Sequence, residues 1–117
     1  MAEFGVDITK KGKGKNCENG SWTTLSWKGY LNDGRVITDS SLETSDGRPK
    51  TFNLGADEVY KCWDLALVQL KKGTKATLHC PAHLVYGSAK IQSPIGDDYI
   101  PKNSDVDFDI EVVDCNV

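Results

Sequence analysis

The sequence predicts an α+β domain, an antiparallel sheet packed on a single helix. Three observations carry this. Segments rich in β-branched and aromatic residues recur along the chain and stop at Gly, Pro or Asn-Asp-Gly. A single stretch, GADEVYKCWDLALVQLKKG (Gly55–Gly73), spaces its apolar residues by three and four. The terminal segment DVDFDIEVV (Asp105–Val113) alternates without a break. A chain of 117 residues has room for one core, so residues 1–117 are read as one domain.

Each element follows from local chemistry. GVDIT (Gly5–Thr9) is a short strand ended by a Lys/Gly loop. SWTTLSWKGYL (Ser21–Leu31) is a long strand, and Asn32-Asp33-Gly34 supplies a hairpin because Asp-Gly tolerates positive φ. RVITD (Arg35–Asp39) pairs back, Ser40–Pro49 is a polar connection, and KTFNLG (Lys50–Gly55) is another short strand. In the helical stretch Asp57 is placed to cap the first turn. Val59, Cys62/Trp63, Ala66/Leu67 and Leu70 form one face, and Lys71, Lys72 and Gly73 suit the C-terminal end. TKATLHCP (Thr74–Pro81) is a strand closed by proline, and Ala82–Lys102 reads mostly as loop. In the last strand Val106, Phe108, Ile110 and Val112 take one face; Asp105, Asp107, Asp109 and Glu111 take the other, the wet face of a sheet.

Composition narrows the function. The formal charge of −3 does not suit nucleic acid. Lys10, Lys11, Lys13 and Lys15 form a basic run without interleaved aromatics, read as a solvated loop with a docking patch as the alternative. No stretch approaches the ~20 apolar residues of a membrane span, and MAEFGVDITKKGKG contains no apolar run before a cleavage site. Cys17, Cys62, Cys80 and Cys115 are widely spaced, with no C-x-x-C. The expectation is a cytoplasmic protein with reduced cysteines. HCPAH (His79–His83) lacks the second half of a zinc site, so neither metal nor cofactor is expected. There is no G-x-S-x-G, no H-E-x-x-H and no phosphate loop. What remains is a set of rings near chain reversals, Trp27, Tyr60, Trp63, Tyr86, Tyr99 and Phe108, which either fill a core or line a small apolar pocket.

Four segments in order, YLNDGRVITDSS, FNLGADEVYKCWDLALVQLKKG, LHCPAHLVYG and IPKNSDVDFDIEVV, resemble the FK506-binding protein family of peptidyl-prolyl isomerases. The resemblance implies a half-barrel of five or six antiparallel strands wrapped around one short helix. That helix would start after Val59 and Tyr60. It also implies a proline pocket with Trp63 as its floor, Val59 and Tyr60 at its entrance, and Ile100 and Phe108 opposite. Tyr86 would bond a ligand carbonyl, and Asp39 would be the pocket aspartate. Trp27 stands where the family has the tyrosine that orients this aspartate. Implied partners are proline-containing peptides or proteins, with FK506 and rapamycin as ligands; neither nucleic acid nor membrane is implied. The chain would act as a monomer or within a larger assembly.

Several positions depart from the family pattern. Thr38, or Ile37 if GRVITD bulges, replaces a phenylalanine; Lys50 replaces another; Tyr60 replaces an isoleucine; Cys62 and Ala66 replace glycines. Two aromatic walls are thereby weakened. The expectation is isomerisation of Xaa-Pro bonds without a covalent step, with drug binding weaker than in a relative that keeps both phenylalanines. The alternatives are a non-catalytic binding module on the same fold and an unrelated α+β domain.

Overall fold

The computed structural model describes residues 3–43, 47–96 and 99–116. Residues 44–46 of the polar connection and 97–98 of the long loop therefore lie outside the described residues. In chain order the elements are β1 (Gly5–Lys10), β2 (Trp22–Tyr30), β3 (Val36–Asp39), α1 (Ser40–Glu43), β4 (Lys50–Asn53), α2 (Lys61–Leu67), β5 (Lys75–Cys80), β6 (Ile91–Gln92), β7 (Tyr99–Ile100) and β8 (Val106–Asn116). Six strands form one antiparallel sheet in the order β1-β5-β8-β2-β3, and β4 shares the outer edge of β2 with β3. The α+β class and the sheet around a short helix are as the sequence predicts.

The alternation of β8 holds. Val106, Phe108 and Val112 are fully buried and Ile110 nearly so, while the acidic residues between them face outward. Opposite them β2 turns Thr23, Leu25 and Trp27 inward. Gly29 continues that row, and it must be glycine: a Cβ there would lie 2.5 Å from Thr38 Cγ2 and 2.8 Å from Phe108 Cε1.

The β2–β3 hairpin turns through Asn32–Gly34, with Gly34 at φ +86° and Asp33 Oδ1 accepting from the Arg35 N–H at 2.9 Å. Register then slips: Gly29 faces Thr38 but Tyr30 faces Val36, so Ile37 is the extra residue of a bulge. Ile37 and Thr38 are both buried, and Asp39 emerges on the outer side.

Two sequence expectations fail here. The helix is a short one that begins after Tyr60, as the family resemblance implies, and not the long one that periodicity suggests. Asp57 does not cap it; its φ is +57°, and the residue before the helix is Tyr60, whose carbonyl accepts from the N–H groups of Trp63 and Asp64. Beyond Leu67 the turn tightens through Gln69 N–H to Ala66 and Leu70 N–H to Leu67.

The cysteines bring a third correction. Cys17 is joined to Cys115 and Cys62 to Cys80. The first bond ties the segment before β2 to the end of β8; the second ties α2 to β5. Two such bonds persist in an oxidising compartment, and this overturns the cytoplasmic assignment. No helix among the described residues is long and apolar enough to cross a membrane.

Candidate active site

The loop between β4 and α2 is pinned at both ends. Asn53 N–H donates to Glu58 Oε1 at 3.3 Å and Gly55 N–H to Asp64 Oδ1 at 2.9 Å. This presents Val59 and Tyr60 at the mouth of a cavity of about 380 Å³, lined also by Trp27, Glu43, Lys50, Glu58, Lys61, Trp63 and Val85. The turn carrying Tyr86 is fixed from its other side by Ala82 N–H to Asp105 Oδ1 at 3.0 Å and Asn103 N–H to the Gly87 carbonyl at 2.9 Å.

Behind the cavity lies a cluster of rings. The Trp63 centroid lies 5.0 Å from Trp27, 5.2 Å from Phe108 and 6.2 Å from Phe52. Tyr60 packs into the middle of this cluster. Its ring stands edge-on to Trp63 at 4.9 Å, stacks on Phe108 at 5.5 Å and meets Tyr86 at 5.2 Å. Trp63 is 2% exposed and Phe108 is fully buried, so water reaches neither ring face to any extent. The Trp63 Nε1–H is also buried and has no acceptor among the described residues.

The hydroxyls of Tyr60 and Tyr86 share a hydrogen bond of 2.7 Å. Burial pushes the Tyr86 phenol well above its ordinary value, with smaller contributions from Tyr60 and the Glu43 carboxylate. Burial also raises Tyr60. Both groups stay neutral O–H donors across the biological pH range.

The bulge in β3 places Thr38, not Asp39, on the inner side. Thr38 Oγ1 accepts from Trp27 Nε1 at 3.0 Å, so the indole N–H is satisfied by a threonine. Thr38 also bonds Glu43 Oε2, which in turn accepts from the Asp39 N–H at 2.7 Å. Asp39 is not brought into the cavity. Its Oδ1 accepts from Ser41 N–H at 2.9 Å and Ser41 Oγ–H at 2.7 Å, capping α1, and it borders a separate outer depression with Lys28, Lys75 and Glu111. The bulge at Ile37 sets Thr38 on the inner face of β3 and Asp39 on the outer one.

Of the other residues singled out, Trp27, Val59, Tyr60 and Trp63 line the cavity. Phe108 and Tyr86 meet them through ring contacts, and Ile100 is fully buried in the core. The Cys62 sulfur leaves the helix toward Cys80 on β5. Nothing in the sequence points to Glu43, since a carboxylate in a polar connection carries no periodic signal. The family pattern marks Thr38 only as a missing ring; its role as a hydrogen-bonding partner emerges from the structure.

An antiparallel sheet of six strands with the short helix α2, and an aromatic cage at the N-terminal end of α2, matches the fold of the FK506-binding proteins. The chain belongs to that family: residues 13–113 match the FKBP-type peptidyl-prolyl cis-trans isomerase model. It is 33% identical over 115 residues to FK506-binding protein 3 of Kluyveromyces lactis, covering 97% of this chain and 25% of that protein. The chain thus spans about a quarter of the length of the curated relatives it matches. Among solved structures it resembles the three FKBP domains of wheat FKBP73 (TM-score 0.85, 26% identity, 97% of this chain and 49% of that one). It likewise resembles AtFKBP13 (TM-score 0.81, 26% identity, 98% and 100%) and FkpA of Escherichia coli (TM-score 0.78, 32% identity, 95% and 47%).

Proposed function

We propose that this domain catalyses cis-trans isomerisation of Xaa-Pro bonds in peptide or protein clients, with Tyr60 as a built-in occupant of the proline site. The observation that supports this is the convergence of Trp63, Phe108 and Tyr86 on the volume held by the Tyr60 ring. The barrier to be lowered is roughly 18–20 kcal/mol and arises from amide resonance. A dry aromatic site stabilises the twisted, less polar amide over either planar isomer, and no nucleophile is required. Trp63 would carry the proline ring. Tyr86, kept protonated by burial, would donate to the client's carbonyl.

In the resting arrangement that donor is already engaged with Tyr60. A client therefore has to displace both the Tyr60 ring and its hydroxyl. The cost is subtracted from catalysis: every 1.4 kcal/mol is about tenfold in rate. FK506 or rapamycin would face the same competition, so their binding is expected to be weaker than in a relative with an aliphatic residue at this position. The charged mouth, with Lys50, Lys61, Glu43 and Glu58, would meet the flanks of the peptide.

A second reading, a binding module without turnover, is favoured by the same Tyr60 ring if it never leaves. Exchange NMR on a short Xaa-Pro peptide separates the two. Isomerisation faster than the uncatalysed rate is expected; an unaltered rate with folded protein overturns the catalytic reading.

A further inference from the structure

The basic run at the N-terminus is not a free loop. Gly12 is pressed against the turn between α2 and β5, where a Cβ would lie 2.4 Å from the Lys72 carbonyl oxygen and 2.6 Å from Thr74 Oγ1. Lys13 N–H donates to that Lys72 carbonyl at 3.0 Å, and Asn16 forms a bridge with Lys71. These contacts hold Lys10, Lys11 and Lys13 against Lys71 and Lys72, and all five side chains are exposed. Among the described residues their single ion pair joins Lys72 to Asp114 at 3.3 Å.

The cluster has relief. Two depressions, of about 270 and 310 Å³, flank the Gly12 ridge and share Lys11. Lys71 borders the first together with Ile8, which is 50% exposed; Lys10, Lys13 and Lys72 border the second. Placing five ammonium groups side by side costs self-repulsion, and among the described residues Asp114 is the one carboxylate paired with them. The chain as a whole has 14 basic and 17 acidic residues; with these five set aside the remainder stands at 9 against 17. The molecule is therefore polarised, with a positive pole on an acidic body.

We infer that this pole is a docking site for an extended acidic segment of a protein partner, with an aliphatic side chain of that segment resting on Ile8. Charge complementarity selects an anion. The paired depressions suit a chain lying across the Gly12 ridge better than a flat bilayer. The absence of interleaved aromatics in Lys10–Lys15 and the oxidising compartment disfavour nucleic acid. The pole lies beyond the C-terminal end of α2, whereas Tyr60 stands at its N-terminal end. A partner docked there leaves the aromatic cavity open. This inference does not depend on turnover at that cavity.

The test is fluorescence anisotropy of a labelled short polyglutamate peptide at low salt. Three proteins are compared: the unaltered chain, Lys11→Glu/Lys13→Glu/Lys71→Glu, and a control with Lys28→Glu/Lys90→Glu elsewhere on the surface. The pole variant is expected to bind at least about tenfold more weakly, and the control to bind as the unaltered chain does. Binding should also fall as salt shortens the reach of the charges. Equal loss in the control, or no loss in the pole variant, overturns the inference. So does tighter binding to vesicles containing phosphatidylglycerol, or to single-stranded DNA, than to polyglutamate. Circular dichroism checks folding, and Lys11→Gln/Lys13→Gln, which adds no negative charge, must show a smaller loss in the same direction.

Discussion

The two sides of the cavity are built from different chemistry. On the helix side Tyr60 and Trp63 interlock with Phe108 and Tyr86, and α2 is tied to β5 behind them by Cys62–Cys80. On the β3–β4 side Glu43 and Lys50 present a carboxylate and an ammonium group, with Glu43 bonded from behind by the buried Thr38 hydroxyl. The first side is dry, and its geometry is set by packing. The second is held by hydrogen bonds at a wet rim. Stability should therefore reside in the first and adjustable recognition in the second.

The strongest challenge to this division is a pair of truncations. Trp63→Ala removes a ring that contacts four others and should cost about 3–5 kcal/mol in urea unfolding. Lys50→Ala, at an exposed rim position, should stay within about 0.5 kcal/mol of the unaltered protein. Comparable losses at both positions would erase the distinction. Next in size is the brace behind the rings. Cys62 and Cys80 are 18 residues apart, and opening a loop of that length costs about 3 kcal/mol on the chain-entropy account. Cys62→Ala/Cys80→Ala should lower the urea midpoint accordingly. An unchanged midpoint would mean that ring packing alone holds α2 in place.

Tyr60 tests function on the same side. Replacing it with isoleucine removes the ring from the cluster and frees the Tyr86 hydroxyl. Isomerisation of an Xaa-Pro peptide should rise by about tenfold, the equivalent of about 1.4 kcal/mol no longer needed to expel the ring. Stability should fall by less than for Trp63→Ala, since the position is only half-buried. A rate that stays level or drops would show that the ring does not compete with the client.

The sequence makes some of this legible and hides the rest for physical reasons. β8 reads directly because strict alternation has one structural solution, a strand with one dry face. The helix start does not read from periodicity, since Val59 continues the apolar spacing although it lies outside α2; the family motif locates it instead. The face taken by Asp39 does not read from sequence, because a one-residue bulge reverses inside and outside and GRVITD alone does not say where the bulge falls. The disulfides join residues 98 and 18 positions apart, partners that become neighbours only once the sheet has formed. Tyr60 is identified as an entrance residue, yet its inward rotamer depends on contacts from three other segments.

The smallest expected effect lies away from the cavity and sharpens the comparison with a third environment, the outer face of the sheet. There His79 bridges two strands, with Nε2 2.6 Å from Asp7 Oδ2 and Nδ1 2.9 Å from Asp107 Oδ1. The hydrogen bond to Asp7, followed by that to Asp107, raises the histidine above its ordinary 6.5, against a smaller opposing contribution from burial. A raised folded value means that the native state holds the proton more tightly than the unfolded chain. The resulting stabilisation is complete below about pH 6.5 and disappears as pH rises through the folded value. With 37% of the side chain exposed, solvent screens the pair and the effect is small. Thermal unfolding followed from pH 6 to pH 9 should show a shallow decline that His79→Gln removes. An imidazole titration by NMR at or below 6.5 would contradict the bridge. A decline that persists in His79→Gln would assign it to another group.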